Sequence, residues 1–402
     1  MLAQQVNGQP LIYLDNAATV HKPRQLVQRL EQLYLHEYAK PDEEHPLSQR
    51  ITEAVQATRQ QVATLINAAP EEVVFVRSTT EAINLVAQGF GRNLLREGDE
   101  VIISILAHHS NCLPWQQACE LAKARLTVLP ITPSGELDLD QLAAAITPRT
   151  RLLAIEHSSH VLATLSPVRE IVKLAHARGV AVLVDGAQTA PHMPIDMREL
   201  DCDFYCFSAH KMGGPAGVGV LYGRQEWLKK LPVFQSGSDM ASEVVMYPGQ
   251  PGFLDFVPKP LPKKFEAGTS AFVDIIAFGA VISYLEGIGR QQIADYEQQL
   301  LHYATALFER RPDDRVRILG SAPEKEPLIS FTVAGMSPQQ VASFFNEHTG
   351  IALRGGDLSA QPLMKFLGIE GAVRISFGFY NTYQEIDTFM QALDECLRQH
   401  KG

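Results

Sequence analysis

Residues 203–222 read DFYCFSAHKMGGPAGVGVLY, and the fold follows from how this stretch divides. Phe204 to Phe207 is an apolar, aromatic-rich run that fits a buried strand. Ser208 and Ala209 follow, then His210 and Lys211, then a Gly/Pro turn at Gly213, Gly214 and Pro215. A second apolar run, Val218 to Leu221, reads as the next strand. A lysine at the mouth of a strand, before a turn too tight for a helix, stands where α/β enzymes place reactive groups. Alone it is more commonly a solvated loop residue.

An aspartate upstream changes that reading. In GVAVLVDGAQTA, Gly179 closes a helix-like segment, Val180 to Val184 is a valine-rich run of the kind buried on both faces, and Asp185 ends it. One βα unit therefore separates two parallel-strand ends, one bearing Asp and the other Lys. Pyridoxal phosphate (PLP) needs that pair: a lysine amine to condense with its aldehyde, and a carboxylate to keep its ring nitrogen protonated so that the ring accepts electrons.

The rest of the chain sets the limits. Its 402 residues suffice for two domains, or one large domain with an appendage. Apolar residues are 46% and charged ones 20%, as in a soluble globular protein. The net charge of −10, with no basic block, argues against nucleic acid as a main partner. With no leader pattern and no long apolar run, no membrane is expected, and five cysteines without a CxxC pair suggest a reduced, cytoplasmic setting.

In chain order, LIYLDNAAT (11–19) reads as a short strand and turn, followed by helices over 24–37 and 49–66 and a strand over 71–76. In RSTTEAINLVAQGF, Ser78 and Glu81 have capping-box spacing before an apolar-periodic helix. Ser78, Thr79 and Thr80 there form either a phosphate seat or an ordinary N-cap. Strand 99–104 leads to His108 and His109, which point apart and have no further ligands at useful spacing, so no metal is expected. His108 is read either as stacking on a flat cofactor ring or as a buried, hydrogen-bonded histidine. Strands 125–131, 151–156 and 180–184 then alternate with helices 137–146 and 167–178, which gives a parallel sheet covered on both faces. No GxGxxG follows a strand, so a nicotinamide site lacks its fingerprint.

Residues 224–264 are Pro/Gly-rich and read as irregular. Beyond a long helix after FEAGTS, the pattern becomes helix 291–311, strands 316–319 and 327–333, helix 337–348, strands 351–354 and 372–377, and helix 383–399. This predicts an α/β chain: a large domain over 17–279, and a smaller α+β domain from 1–16 and 280–402.

Taken together, YLDNAAT, VRSTTEAINLVA, HHSN-LPWQ, DGAQ, FSAHKMGGPAGVGVLYG, FEAGTS, and RGG-(three residues)-AQPLM followed by VRISFGFYNT resemble the class V aminotransferase family of fold-type I PLP enzymes. Within it the chain is most similar to the group II cysteine desulfurases and selenocysteine lyases. The resemblance implies a large domain with a seven-stranded-type, mostly parallel sheet. It implies Lys211 as the Schiff-base lysine, Asp185 at the ring nitrogen, Gln188 at the ring hydroxyl and His108 stacked on the ring. Thr79, Thr80, Ser208 and His210 would hold the phosphate. Thr269 lies in the segment that in relatives reaches the partner subunit's phosphate, which implies a homodimer. Arg374, with Arg354 nearby, would clamp the α-carboxylate of an amino-acid substrate, and Asn16 and His160 would lie beside it.

The departures bear on the reaction. Desulfurases of this group carry Arg-x-Gly-His-His-Cys-Ala; here the loop is RGGDLSA, with Asp357 and Leu358 for the histidines and Ser359 for the cysteine. A hydroxyl cannot form a stable persulfide. His160 stands where relatives carry Asn, Ser78 replaces a usual glycine, and the 224–264 segment is longer, expected over the site or at a dimer edge. The resemblance therefore implies a C–S lyase working by β-elimination on cysteine, cystine or a cysteine conjugate. The alternatives are another PLP reaction (racemisation, transamination or decarboxylation) or a non-catalytic partner of a sulfur-carrier protein.

Overall fold

A computed structural model describes residues 3–246, 254–311 and 314–400. Its central sheet has seven strands: Val73–Val76 (β1), Glu100–Ser104 (β2), Arg125–Leu129 (β3), Thr150–Glu156 (β4), Ala181–Asp185 (β5), Phe204–Ser208 (β6) and Gly219–Gly223 (β7). They lie in the order β1-β7-β6-β5-β4-β2-β3. Five neighbours, from β6 to β3, run parallel, and β7 is antiparallel to both β6 and β1. Strand periodicity decides which residue faces which layer. Val182, Val184, Tyr205 and Phe207 enter one apolar cluster, with Ile51, Val55 and Val62 of helix 46–65 and Ile171 of helix 168–176. Ala181, Leu183, Phe204 and Cys206 point the other way, onto Ile83 and Val86 of helix 79–89 and Trp115 of helix 113–122. Both faces are covered, which is why β5 and β6 read as unbroken apolar runs.

The smaller sheet comprises Val316–Ile318 (β8), Leu328–Val333 (β9), Arg354–Gly356 (β10) and Ala372–Ser376 (β11), in antiparallel order β8-β9-β11-β10. Its core is aromatic, with Phe331, Phe345, Phe377 and Phe389 packed between sheet and helices. The helix Phe272–Ile288 packs into the core of the large sheet. The expected domain boundary near residue 280 falls inside that helix, and the change of core comes beyond Gly289, where the next helix bends away by 72°. No single helix among the described residues is long and apolar enough to cross a membrane.

Three local expectations differ from the structure. The 224–264 segment is not irregular: it carries helix Gln225–Lys230 and an antiparallel pair, Ala241–Met246 with Leu254–Pro258, whose side chains are mostly exposed. Most of its MYPGQPG motif lies outside the described residues. The expected strand 351–354 is two pieces, Ile351–Ala352 paired in parallel with Ile12–Tyr13, and β10 in the small sheet. A helix at Gln361–Phe366, absent from the sequence reading, follows the RGGDLSA loop.

Candidate active site

Three neighbouring parallel strands, β4, β5 and β6, end on polar residues, Glu156, Asp185 and Ser208, that line a single cavity of about 250 Å³. This is where open α/β sheets bind ligands. β6 ends at Ser208, and the tight turn after it is one 3-10 turn, Ala209–Met212, carrying His210 and Lys211. Gly213 closes the turn at φ +83°, a conformation L side chains rarely adopt. The turn aims Lys211 into the cavity. Burial, against the opposing charge of Asp185, lowers its amine to about 8.

Asp185 forms the cavity floor at the end of β5, its Oδ1 accepting the Ala187 N–H at 3.0 Å. Burial raises its carboxyl, while that N–H and Lys211 pull it down. Gln188, one short turn on, lines the cavity and donates its side-chain amide to the Ala17 carbonyl at 3.1 Å.

Opposite lies a cluster of donors. Helix Thr79–Gly89 begins at the cavity. Its N-cap Ser78 accepts the Glu81 N–H at 3.4 Å, but Glu81 reaches the Arg77 N–H and not that of Ser78, so the expected capping box is only half formed. The Ser208 hydroxyl accepts the Thr79 N–H at 2.8 Å and meets the Thr79 hydroxyl at 2.7 Å. Thr80 meets Ser110 at 2.9 Å, and His210 Nδ1 meets the Thr19 hydroxyl at 3.2 Å. Helix and β7 approach closely because residue 219 is glycine; a Cβ there would come within 2.6 Å of Ser78.

Two histidines face each other across the cavity. His108 Nδ1 accepts the Ser110 N–H at 3.1 Å, which leaves Nε2 protonated. Its ring meets His160 edge-on at 4.9 Å. Burial first, then the Lys211 charge, lowers His108 to about 4, and burial pushes His160 well below the usual histidine value, so both rings are neutral at pH 7. His160 donates Nε2–H to the Leu358 carbonyl at 2.9 Å.

That contact pins the RGGDLSA loop. Leu358 and Ser359 both take left-handed backbone, φ 53° and 58°, at a cost of about 1–2 kcal/mol each for non-glycine residues. What holds them is the buried Leu358 side chain, the His160 contact, and the His109 N–H donated to the Ser359 carbonyl at 3.1 Å. Leu358 lines the cavity and Ser359 does not.

Arg374 in β11 is 3% exposed and stands directly across from Arg354 in β10. Both line the cavity. Arg374 donates to the His160 carbonyl at 2.9 Å and to Asp15 at 3.2 Å, while its Nε has no hydrogen-bond partner. Arg354 is exposed and pairs with no carboxylate among the described residues.

The cavity thus brings together Thr79, Thr80, His108, His160, Asp185, Gln188, Ser208, His210, Lys211, Arg354 and Arg374. Three expected residues lie outside it. Asn16 is buried behind the wall, donating to the Ser376 carbonyl at 2.7 Å. Ser359 does not line the cavity. Thr269 lines a separate hollow with Arg77 and Glu81, in a segment tied down where Glu266 pairs with buried Arg59 at 2.8 Å. Sequence reasoning passed over Glu156, Ser110 and Ser158 and named Leu358 only as a replaced histidine; all four are in the cavity wall. Glu156 carried a legible signal: LLAIE ends a buried strand on an acid, as VLVD does.

An amine, a carboxylate floor, a hydroxyl-rich helix start and two guanidinium groups fit a flat aldehyde that bears a ring nitrogen and an anionic arm. The bare Nε of Arg374 and the unbonded carboxyl of Glu156 mark where the protein alone leaves buried polar groups without partners.

The sequence profile described as Aminotransferase class-V matches residues 12–389. The chain is 43% identical over 395 residues to a cysteine desulfurase of Synechococcus elongatus, covering 98% of this chain and 62% of that one. It therefore spans under two thirds of that relative's length. With a cysteine desulfurase of Pectobacterium atrosepticum it shares 41% identity over 400 residues, 99% of this chain and 96% of the other. Among solved structures it is similar to a cysteine desulfurase of Escherichia coli in an S-sulfonic acid form, with TM-score 0.88, 36% identity, and 97% and 95% of the two chains covered. A cysteine desulfurase of Thermococcus onnurineus gives TM-score 0.91 at 33% identity, with the same coverage.

Proposed function

Because the chain belongs to the aminotransferase class-V family, we propose that it is a PLP-dependent lyase that removes a sulfur-linked β-substituent from an L-amino acid, with no cysteine nucleophile. The observation that carries this reading is the make-up of the cavity. It holds a buried amine and a buried acid, and no cysteine lines it among the described residues. Cys112, the half-buried one, packs against the apolar cluster that contains Trp115. β-Elimination needs a base, an acid and an electron sink, and does not need a thiol.

In this reading Thr79, Thr80, Ser208 and His210 hold the phosphate, with the positive end of helix 79–89 behind them. His108, neutral and with its tautomer set by the Ser110 N–H, covers a face of the ring without placing a charge there. Asp185 keeps the ring nitrogen protonated, and Gln188 turns toward the ring hydroxyl. When bound, PLP supplies the sink for the electron pair released at the substrate Cα. Arg374 and Arg354 orient the α-carboxylate, for which the unpartnered Arg374 Nε is one free donor. Lys211 Nζ, lowered to about 8, takes the Cα proton and returns one to the departing sulfur. Leu358 closes the wall with an apolar side chain. With water, the products are pyruvate, ammonia and a thiol. The protein works as a homodimer, Thr269 serving the partner subunit's phosphate.

Single-turnover product analysis over a panel of β-substituted amino acids is the test. Stoichiometric pyruvate and thiol from a cysteine conjugate are expected. Alanine plus protein-bound sulfur, or protein that stays colourless with excess PLP, would refute the proposal.

A further inference from the structure

We propose that Glu156 is a second carboxyl group of this site, one that holds a proton beside Asp185 and acts on the bound ring through it, as a positioning residue. The inference rests on the cavity being the seat of PLP. Glu156 is the last residue of β4 and is paired in register with Asp185, the last of β5. Partners on neighbouring parallel strands stand ~4.8 Å apart, and their side chains leave the same face of the sheet. Glu156 is 3% exposed, yet it lines the cavity, and neither of its oxygens makes a hydrogen bond. A bare, buried carboxylate in that position is costly, and two adjacent ones more so.

The groups facing it from the flanking strands are Asp185 on β5 and Ser104 on β2. Burial raises Glu156 to about 8, against the pull of its own backbone N–H and of the nearby Ser104 hydroxyl, and the Asp185 charge adds a smaller push in the same direction as burial. At neutral pH Glu156 therefore holds a proton next to Asp185. A neutral Glu156 can donate to Asp185, whose Oδ1 already accepts from Ala187, and so fix the carboxylate that faces the ring nitrogen. Above pH ~8 a second negative charge appears and tightens the hold on the ring-nitrogen proton.

Two titrations of wild type, Glu156→Gln and Glu156→Leu test this. Infrared difference spectra of cofactor-free protein, wild type minus Glu156→Gln, should show a carboxylic-acid carbonyl band near neutrality that fades around pH 8. In PLP-loaded protein, the bound chromophore of wild type should show an absorbance step in the same range, and Glu156→Gln should lack it. PLP dissociation constants of wild type and Glu156→Gln should agree near pH 7 and diverge above pH 8, the variant weaker by up to roughly tenfold, the equivalent of one pK unit. A step that survives in Glu156→Gln, or the absence of an acid band near neutrality, overturns the proposal. Should Glu156→Leu not fold, the near-isosteric Gln variant still decides it. Wild type that takes up no PLP overturns the cofactor reading and this role with it, while the infrared arm still reports separately whether Glu156 holds the proton.

Discussion

In protein stripped of cofactor, replacing Asp185 by asparagine should make Lys211 a more reactive amine, although it removes a residue of the proposed machinery. Burial takes Lys211 from the ordinary 10.5 to about 8; the charge of Asp185 works against this shift, and Arg374 and Arg354 work with it. A group with a pKa of 8 is ~10% neutral at pH 7 and an ordinary lysine only ~0.03%, a roughly 300-fold difference. Asparagine keeps the shape and removes the opposing charge, so the midpoint moves downward. A shift of about half to one unit raises the neutral fraction at pH 7 to ~25–50%. Competitive acetylation over pH 6–10, with Lys211 followed by mass spectrometry, measures the midpoint directly. Wild-type Lys211 titrating near 10, or an upward shift in Asp185→Asn, would show that burial does not govern this amine.

Arg374→Gln should weaken α-carboxylate binding by about 2–5 kcal/mol, the cost of removing one half of a buried charge pair, and leave PLP content unchanged; an unaltered amino-acid dissociation constant would place the clamp elsewhere. Ser359→Cys should not restore persulfide formation, because residue 359 does not line the cavity and donates its N–H to Asp357, whose carboxylate would raise a thiol's pKa. Persulfide on that cysteine, formed as fast as turnover, would contradict this. Glu326→Gln should stabilise the protein by about 1–3 kcal/mol at pH 8. Burial raises Glu326 to about 7, so native protein binds the extra proton between the unfolded value near 4.5 and 7, and wild type loses stability as pH rises through that window. Urea titrations at pH 4 and pH 8 should show the gain vanish at the acid end, and a gain that is equal at both pH values would exclude linkage.

The large sheet was legible because its strands are buried on both faces and end on chemistry: VLVD and FYCFS announce themselves by composition alone. The helix start at Ser78 was legible through capping residues. The 241–258 pair was not. Its side chains are mostly exposed, so no buried face imposed a period, and Pro and Gly dominate its surroundings. Leu358 was invisible for another reason. No local signal marks a leucine for left-handed backbone; the His160 and His109 contacts hold it there, and these join residues about 200 and 250 positions apart. Asn16 was quoted from the right motif, yet its amide is turned to Ser376 and Asn381, which only the docking of the two sheets determines.

The strand Ile12–Tyr13 finds its partner only at Ile351–Ala352, and the residues just after it are held by Arg374 and Ser376. During synthesis, then, this wall of the cavity emerges before the large sheet and docks only after it. At ribosomal rates of ~5–20 residues per second, the wait between Asp15 and Ser376 is ~20–70 s. The five parallel strands and their helices are complete well before that, so Lys211 and Asp185 stand at the end of a finished sheet with one side of their pocket open to solvent. A cofactor that arrives in this interval meets an uncovered lysine, and the docking of Arg374 and Ser376 closes the wall over it.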